Sequence, residues 1–367
     1  MQKTTEYYLL TFYKFVKIDN PKKEVKKLKQ YLNDIGMKGR IYIGGEGINV
    51  QCSANIGQTE AMKLYLEGHK YFSNIPDIDI KATPIDGHKF PKMAVKYREE
   101  IVALGKLYPV EKLKEATNKV SIEEFKNVLD NESVEDYAVI DMRNNYEFKL
   151  GHFKNAIPAG TKNFSETEQY IEDYKREYGD KKLFMYCTGG IRCEKIGAML
   201  EDAGLENVFQ LDGGVIKYIN TFDDGNWLGN LYTFDERVST EVGTHKTHSI
   251  ISKCHYTDEP TEHYYNCRYG PCNSQIIAKP KQYKKHFGFC SAECYHKGRE
   301  DLYIRDVAFD TVSYKDIRIE IKLDNSIIAE KVSFVQEHLD MELRGVKFRY
   351  DVPIVDSTAK VLRDIGR

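Results

Sequence analysis

The segment Lys182-Leu-Phe-Met-Tyr-Cys-Thr-Gly-Gly-Ile-Arg192 constrains the fold more than any other stretch of the chain. Its short apolar run reads as a buried strand, and it delivers Cys187 into a turn with two adjacent glycines. A helix is predicted from about Cys193 to Ala203, with Gly204 as its stop. A buried strand that hands a cysteine to a helix N-terminus belongs to an open α/β sheet, which places its sites at such strand ends. The glycines let successive N–H groups converge on an anion, the helix adds its positive end, and Arg192 adds a full charge. Together these favour a thiolate, so Cys187 is a candidate nucleophile with a depressed pKa.

The surroundings alternate helix and strand in the α/β manner. Ser121-Ile-Glu-Glu124 matches a capping box ahead of an apolar stripe. Tyr137 to Ile140 reads as a buried strand ending at Asp141, and a polar helix is expected over Glu166 to Tyr178. Val208 to Leu211 reads as a further strand running into Asp212-Gly213-Gly214. Upstream, strands are expected at Tyr7–Phe15, Gly39–Tyr42, Ile48–Cys52 and Ile78–Ala82, with helices from Pro21 to about Ile35 and over Gln58–Leu66. The order β-α-β-β-α-β points to a ferredoxin-like or acylphosphatase-like module, which Val95–Leu104 could extend by one strand. The chain of 367 residues thus reads as multidomain, α/β and α+β. Its expected divisions are 1–116, 117–240, a Cys-rich region 241–300 and an extension 301–367.

Net charge is −2 over the whole chain but +6, −9 and +1 over residues 1–116, 117–240 and 241–367. A basic segment and a locally basic Cys-rich region therefore flank an acidic centre, an uneven pattern that the total conceals. No apolar run reaches the roughly 18 residues of a membrane span, and the first residues do not read as an export signal. The expectation is a cytoplasmic protein with no membrane partner, in which eight cysteines serve chemistry and metal rather than disulfides.

Cys267 with Cys272, and Cys290 with Cys294, make two close pairs, with Cys254 upstream. Two such turns supply the tetrahedral sulfur set that zinc prefers, so all five are candidate ligands of a structural Zn²⁺. His255, His286 or His296 could replace one of them. Between the pairs, Lys281, Lys284 and Lys285 stand among Tyr283, Phe287 and Phe289. Basic charge releases phosphate counterions and exposed rings stack on unpaired bases, so these lysines are candidate RNA contacts. In the extension, Ile317 to Lys322 alternates like a strand, Asp324-Asn325-Ser326 reads as a turn before Ile327 to Ala329, and Glu337 to Leu343 reads as helical. None of it carries recognisable chemistry.

Asp141-Met-Arg143 with Glu147 and Gly151-His152, the Cys187–Arg192 loop, and Asp212-Gly213-Gly214 resemble the signatures of the rhodanese family. The resemblance implies a persulfide on Cys187 held by loop amides. Cysteine phosphatases of this fold have a loop one residue longer, wide enough for phosphate; here Cys193 takes the position a phosphatase gives to arginine. Sulfur chemistry is therefore favoured over phosphate chemistry. Gly45-Glu-Gly-Ile-Asn49, Ile140-Asp-Met-Arg143, Tyr186 to Lys195 and Phe234-Asp-Glu-Arg237 together are similar to the rhodanese-domain tRNA uridine(34) hydroxylases, over roughly residues 6–296.

That resemblance implies O₂-dependent oxidation of the wobble uridine at C5 to 5-hydroxyuridine. It also implies tRNA bound by its anticodon loop, an unspecified electron donor, and no flavin, haem or nucleotide cofactor signature. Cys187 corresponds to the family's essential cysteine. Arg192 would shape the loop and neutralise sulfur charge, and Cys193 would either resolve an oxidised Cys187 or simply pack there. Arg143 is carried as a candidate substrate contact, although the motif favours a bracing role for it, Glu147 and His152. The residues alone leave two rival readings open: a sulfurtransferase passing sulfane sulfur to a thiol, and a non-catalytic zinc-knuckle RNA-binding or redox-sensing protein.

Overall fold

The computed structural model describes residues 7–73, 80–115, 118–223, 225–243 and 248–301. They form two compact units, one up to Ile251 and one from Ser252 onward. The features expected within 302–367 lie outside the described residues. Among the described residues no helix is long and apolar enough to cross a membrane.

The first unit begins with β1 (Tyr7–Phe15), α1 (Pro21–Asp34), β2 (Lys38–Gly44), β3 (Gly47–Asn55), α2 (Ile56–Glu67), β4 (Lys81–Ile85) and β5 (Met93–Tyr97). Local chemistry sets the helix starts. Pro21 is pre-organised for the first turn of α1 and Asn20 accepts the Lys23 amide, while Asn55 and Gln58 close a capping box on α2. The sheet order is β4-β1-β3-β2-β5, the ferredoxin-like arrangement with β5 added in parallel beside β2. Ile78 and Asp79 of the expected fourth strand fall outside the described residues.

Strand alternation divides the two faces of this sheet. Leu10, Phe12, Ile41, Ile43, Ile48, Val50 and Cys52 are buried with Leu28 and Leu32 of α1 and Met62 and Leu66 of α2. Thr11, Tyr13, Arg40, Tyr42, Asn49 and Gln51 occupy the alternate positions. The fifth strand stops at Tyr97, well short of the Leu104 expected. Beyond it, side-chain carboxylates replace the ladder: the Ile101 amide donates to Glu46 Oε1 (2.7 Å), and those of Leu104 and Gly105 donate to Glu100.

After α3 (Val110–Glu115) come β6 (Asn118–Val120), α4 (Ile122–Asn131), β7 (Tyr137–Asp141), α5 (Asn145–Leu150), β8 (Gly151–Phe153) and β9 (Ile157–Pro158). There follow α6 (Ile171–Tyr178), β10 (Lys182–Tyr186), α7 (Ile191–Asp202), β11 (Val208–Leu211) and α8 (Gly214–Phe222). The second sheet is parallel throughout, in the order β6-β11-β10-β7-β9. Ser121 caps α4 through the Glu124 amide. The expected polar helix is split: Phe164–Tyr170 is a 3₁₀ segment, and only Ile171 onward is α-helical. Phe15, Ile101 and Leu104 of the N-terminal part share one buried cluster with Ile140, Leu183, Met185, Ile196 and Leu200. This common core makes the two sheets one unit. The opposite face of the parallel sheet packs Phe125, Phe153, Phe184, Tyr186, Tyr218 and Trp227 edge to face.

The second unit contains an antiparallel pair (Tyr264–Asn266 with Gln275–Ile277), α9 (Pro280–Lys285) and α10 (Ala292–Asp301). Its small core comprises Cys254, Cys267, Ile276, Ala278, Tyr283 and Phe289.

Candidate active site

Strand β10 occupies the middle of the parallel sheet and ends at Tyr186, so Cys187 emerges at its carboxyl end. The loop carbonyls turn away from the sulfur. Cys187 O accepts the Val215 amide (3.0 Å) and Thr188 O accepts the Ile216 amide (3.1 Å), both from the first turn of α8. The amides are thereby free to converge, and Gly190 N donates to Cys187 Sγ at 3.1 Å. Two glycines are sterically required. Gly190 has φ +101°, and a Cβ there would lie 2.9 Å from the Tyr13 hydroxyl; at Gly214 a Cβ would lie 2.6 Å from Cys187 O.

Burial pushes the Cys187 thiol up, but the Cys193 thiol, the Arg192 charge and the amides of Arg192 and Cys193 outweigh it and bring its pKa down to about 6. Cys193 moves the opposite way, driven up by burial and then by its hydrogen bond to Cys187. The pair is thus a thiolate and a thiol that donates to it. Cys52 is a fully buried thiol, which burial pushes up to about 12.

Arg192 is fixed by a bidentate pair with Glu147 (2.8 and 2.9 Å) and a 3.2 Å bond to Thr188 Oγ1. Phe234 lies beneath its guanidinium. Glu147 also accepts the Asn144 amide, and although burial opposes its ionised form, Arg192 holds its carboxyl below the usual range. Arg143, carried as a candidate substrate contact, is fully buried. It forks onto Asp141 (2.9 and 2.6 Å), donates to Gly151 O and stacks over Trp227. It braces the end of β7 and is not presented to a substrate. His152 likewise bonds Phe148 O and stacks on Phe148.

A cleft of about 600 Å³ opens over the loop. Cys187, Thr188, Gly189 and Arg192 line one side, and Thr11, Tyr13, Arg40, Tyr42, Asn49 and Gln51 of the first sheet line the other, with Arg98 beside them. Motif residues from both halves meet below it. Lys195 is fully buried and bridges Glu46 (3.0 Å) and Glu100 (2.6 Å), while Tyr13 donates to Glu194 (2.7 Å). No local signal marked Arg40, Tyr42 or Arg98; strand alternation, which sets the first two opposite the apolar face, was the available clue.

In the second unit, the sulfurs of Cys267, Cys272, Cys290 and Cys294 all lie within 4.8 Å of one another. Cys290 is 3.7 Å from Cys272 and 3.5 Å from Cys294. A tetrahedral zinc–sulfur centre with bonds near 2.3 Å sets sulfurs roughly 3.8 Å apart, so these four fit one metal ion. Cys254, expected among the ligands, stands outside the set; its sulfur accepts the Lys279 amide at the start of α9. The turn that holds it closes on itself, the Thr257 and Asp258 amides donating to Cys254 O. Of the candidate RNA contacts on α9, Lys281 and Lys285 are exposed and Lys284 is half-buried.

The chain matches the family described as UPF0176 acylphosphatase like domain over residues 7–101, the rhodanese-like domain over 121–221 and the rhodanase C-terminal family over 228–295. Fold and site together define a rhodanese-type α/β domain joined to an acylphosphatase-like module. Curated relatives narrow this further. A tRNA uridine(34) hydroxylase of Bacillus licheniformis is 37% identical over 82% of this chain and 92% of its own length. Those of Oceanobacillus iheyensis and Staphylococcus saprophyticus are each 37% identical, over 83% and 82% of this chain and 93% of their own lengths. The chain belongs to the tRNA uridine(34) hydroxylase family.

Proposed function

We propose that this enzyme hydroxylates the wobble uridine of tRNA at C5 to give 5-hydroxyuridine, using O₂ as co-substrate and Cys187 as its reactive group. The observation that carries the reading is the Cys187 thiolate cradle facing a nucleotide-sized cleft, in a chain that belongs to the tRNA uridine(34) hydroxylase family. The ring of amides and Arg192 that stabilises a thiolate would equally hold the terminal sulfur anion of a Cys187 persulfide. Insertion of one oxygen atom at C5 leaves the other to be reduced to water, so an external electron donor completes the reaction. Cys193, a protonated thiol beside the sulfur, holds a proton at the site; Arg192 acts through charge and loop shape.

In this reading residues 1–116 and 117–240 build the cleft, 241–300 forms a zinc-binding region, and 301–367 is an extension. The four clustered sulfurs would hold a structural Zn²⁺, and Lys281, Lys284 and Lys285 would contact the anticodon arm in the cytoplasm, where tRNA is modified. The test is nucleoside mass spectrometry of tRNA from cells that rely on this protein, carrying either wild type or Cys187→Ala. Wobble 5-hydroxyuridine derivatives should vanish in the variant; their persistence at wild-type level would refute the assignment. The same sulfur cradle suits a second reading, sulfane transfer from thiosulfate to cyanide, which is favoured only if that assay turns over while tRNA modification is unaffected.

A further inference from the structure

The open face of the first sheet has the composition of a binding surface rather than of a packing surface. In a ferredoxin-like module one face is covered by helices, and here Leu10, Phe12, Ile41, Ile43, Ile48 and Val50 fill it. The other face carries an aromatic ring, cations and amides, and it looks into the cleft over Cys187. Arg40 and Arg98 are exposed, and neither has an ion-pair partner among the described residues. Two arginines without counter-charge at a cleft wall are a demand for an anion.

The acid beside them does not supply it. Glu100 lines the same cleft, but its carboxylate is held by Lys195 at 2.6 Å and by the amides of Leu104 and Gly105, which keep it ionised and satisfied. Tyr42 is half-buried on β2, and the Arg98 guanidinium lies 5.4 Å from its ring centre. A flat π-surface next to a cation is the pairing that proteins use to hold an unpaired base and its phosphate together. Asn49 donates its amide N–H to Ile101 O at 3.0 Å, which fixes its orientation, and Gln51 has no side-chain hydrogen bond among the described residues. The cleft, about 600 Å³, falls within the range of sites that enclose a small ligand.

We propose that this sheet face is the nucleotide platform of the cleft: Tyr42 stacks on the unpaired base that is directed at Cys187, and Arg98, assisted by Arg40, grips the adjoining phosphate. The inference rests on the tRNA reading above and assigns to the N-terminal module the task of presenting the base. It also accounts for how a central domain with a net charge of −9 shares a site with a polyanion, since the phosphate is met from the +6 segment.

The test uses the full chain and a fluorescently labelled anticodon stem-loop RNA with uridine at the wobble position. Tyr42→Ala should weaken binding about ten-fold and Tyr42→Phe by less than about two-fold, because stacking needs the ring and not the hydroxyl. Arg98→Ala should weaken binding and lower the slope of log Kd against log salt by about 0.7, the loss of one phosphate contact to single-stranded RNA. The ultraviolet signal of the Cys187 thiolate, unchanged in each variant, reports that the cradle has folded. Wild-type affinity in Tyr42→Ala and Arg98→Ala would overturn the platform and leave the tRNA reading intact. Equal losses in Tyr42→Ala and Tyr42→Phe would overturn stacking. Failure of the wild type itself to bind either the stem-loop or whole tRNA would overturn both.

Discussion

A thiol that titrates near 6 is ionised in roughly nine molecules of ten at neutral pH, so Cys187 is a nucleophile before any substrate arrives. The thiolate absorbance lost in Cys187→Ala should therefore appear with a midpoint near pH 6 and be essentially complete by about pH 8. A depressed thiol pKa means that the charged form is favoured, so the signal rises with pH and fades on acidification. Arg192→Gln removes a cation and leaves Glu147 buried without its partner, and it should move the midpoint up by at least about one unit. A wild-type midpoint near the ordinary value of about 8.5 would sink the cradle argument. Cys187 and Arg192 were legible in the sequence because one loop carries both. The Glu147 partner of Arg192 and the burial of Arg143 under Trp227 were not, since both depend on segments that only the fold brings together. Cys254 illustrates the same limit: spacing counts sulfurs, but only the fold tells which of them converge.

Among the elements, α7 does the most. Its N-terminus faces the thiolate, its apolar side enters the shared core, and Lys195 ties it to Glu46 and Glu100. Glu46 and Glu100 both belong to the N-terminal half, and burial raises the Glu46 pKa despite Lys195. Lys195→Met would leave these carboxylates without a buried counter-ion, which costs about 3–5 kcal/mol. Denaturant unfolding should show a lower midpoint, with the deficit shrinking as pH falls and Glu46 is protonated. The sign follows from a raised carboxyl pKa, whose penalty grows with pH and disappears below it. An unchanged midpoint at neutral pH would mean that the triad carries no stability. The strand and helix types of this half were readable from alternation and caps. The point where β5 stops was not, because the carboxylates that replace its ladder lie far away in sequence or beyond the strand.

At the scale of the molecule, the described residues of the second unit, 252–301, share only a small core, and a metal ion held by the four sulfurs would supply what that apolar area does not. Purified protein should contain about one zinc ion per chain, and Cys290→Ser should lose it together with the structure of residues 252–301. The thiolate signal of Cys187 should persist in that variant, since its cradle is built within the first unit. Retention of stoichiometric zinc by Cys290→Ser would refute the ligand set. The existence of the cluster was legible in the sequence, and the uneven charge already set a basic segment beside an acidic centre.

The core shared by the two sheets bears on how such a chain can be taken apart. Phe15, Ile101 and Leu104 are packed among Ile140, Met185 and Ile196, and Lys195 reaches across the same boundary. A protein cut near residue 116 would bare an oily face and strand a charge on each fragment. The rhodanese-type portion thus leans on the partner sheet for part of its core, and excising it exposes that core together with the reactive cysteine's surroundings.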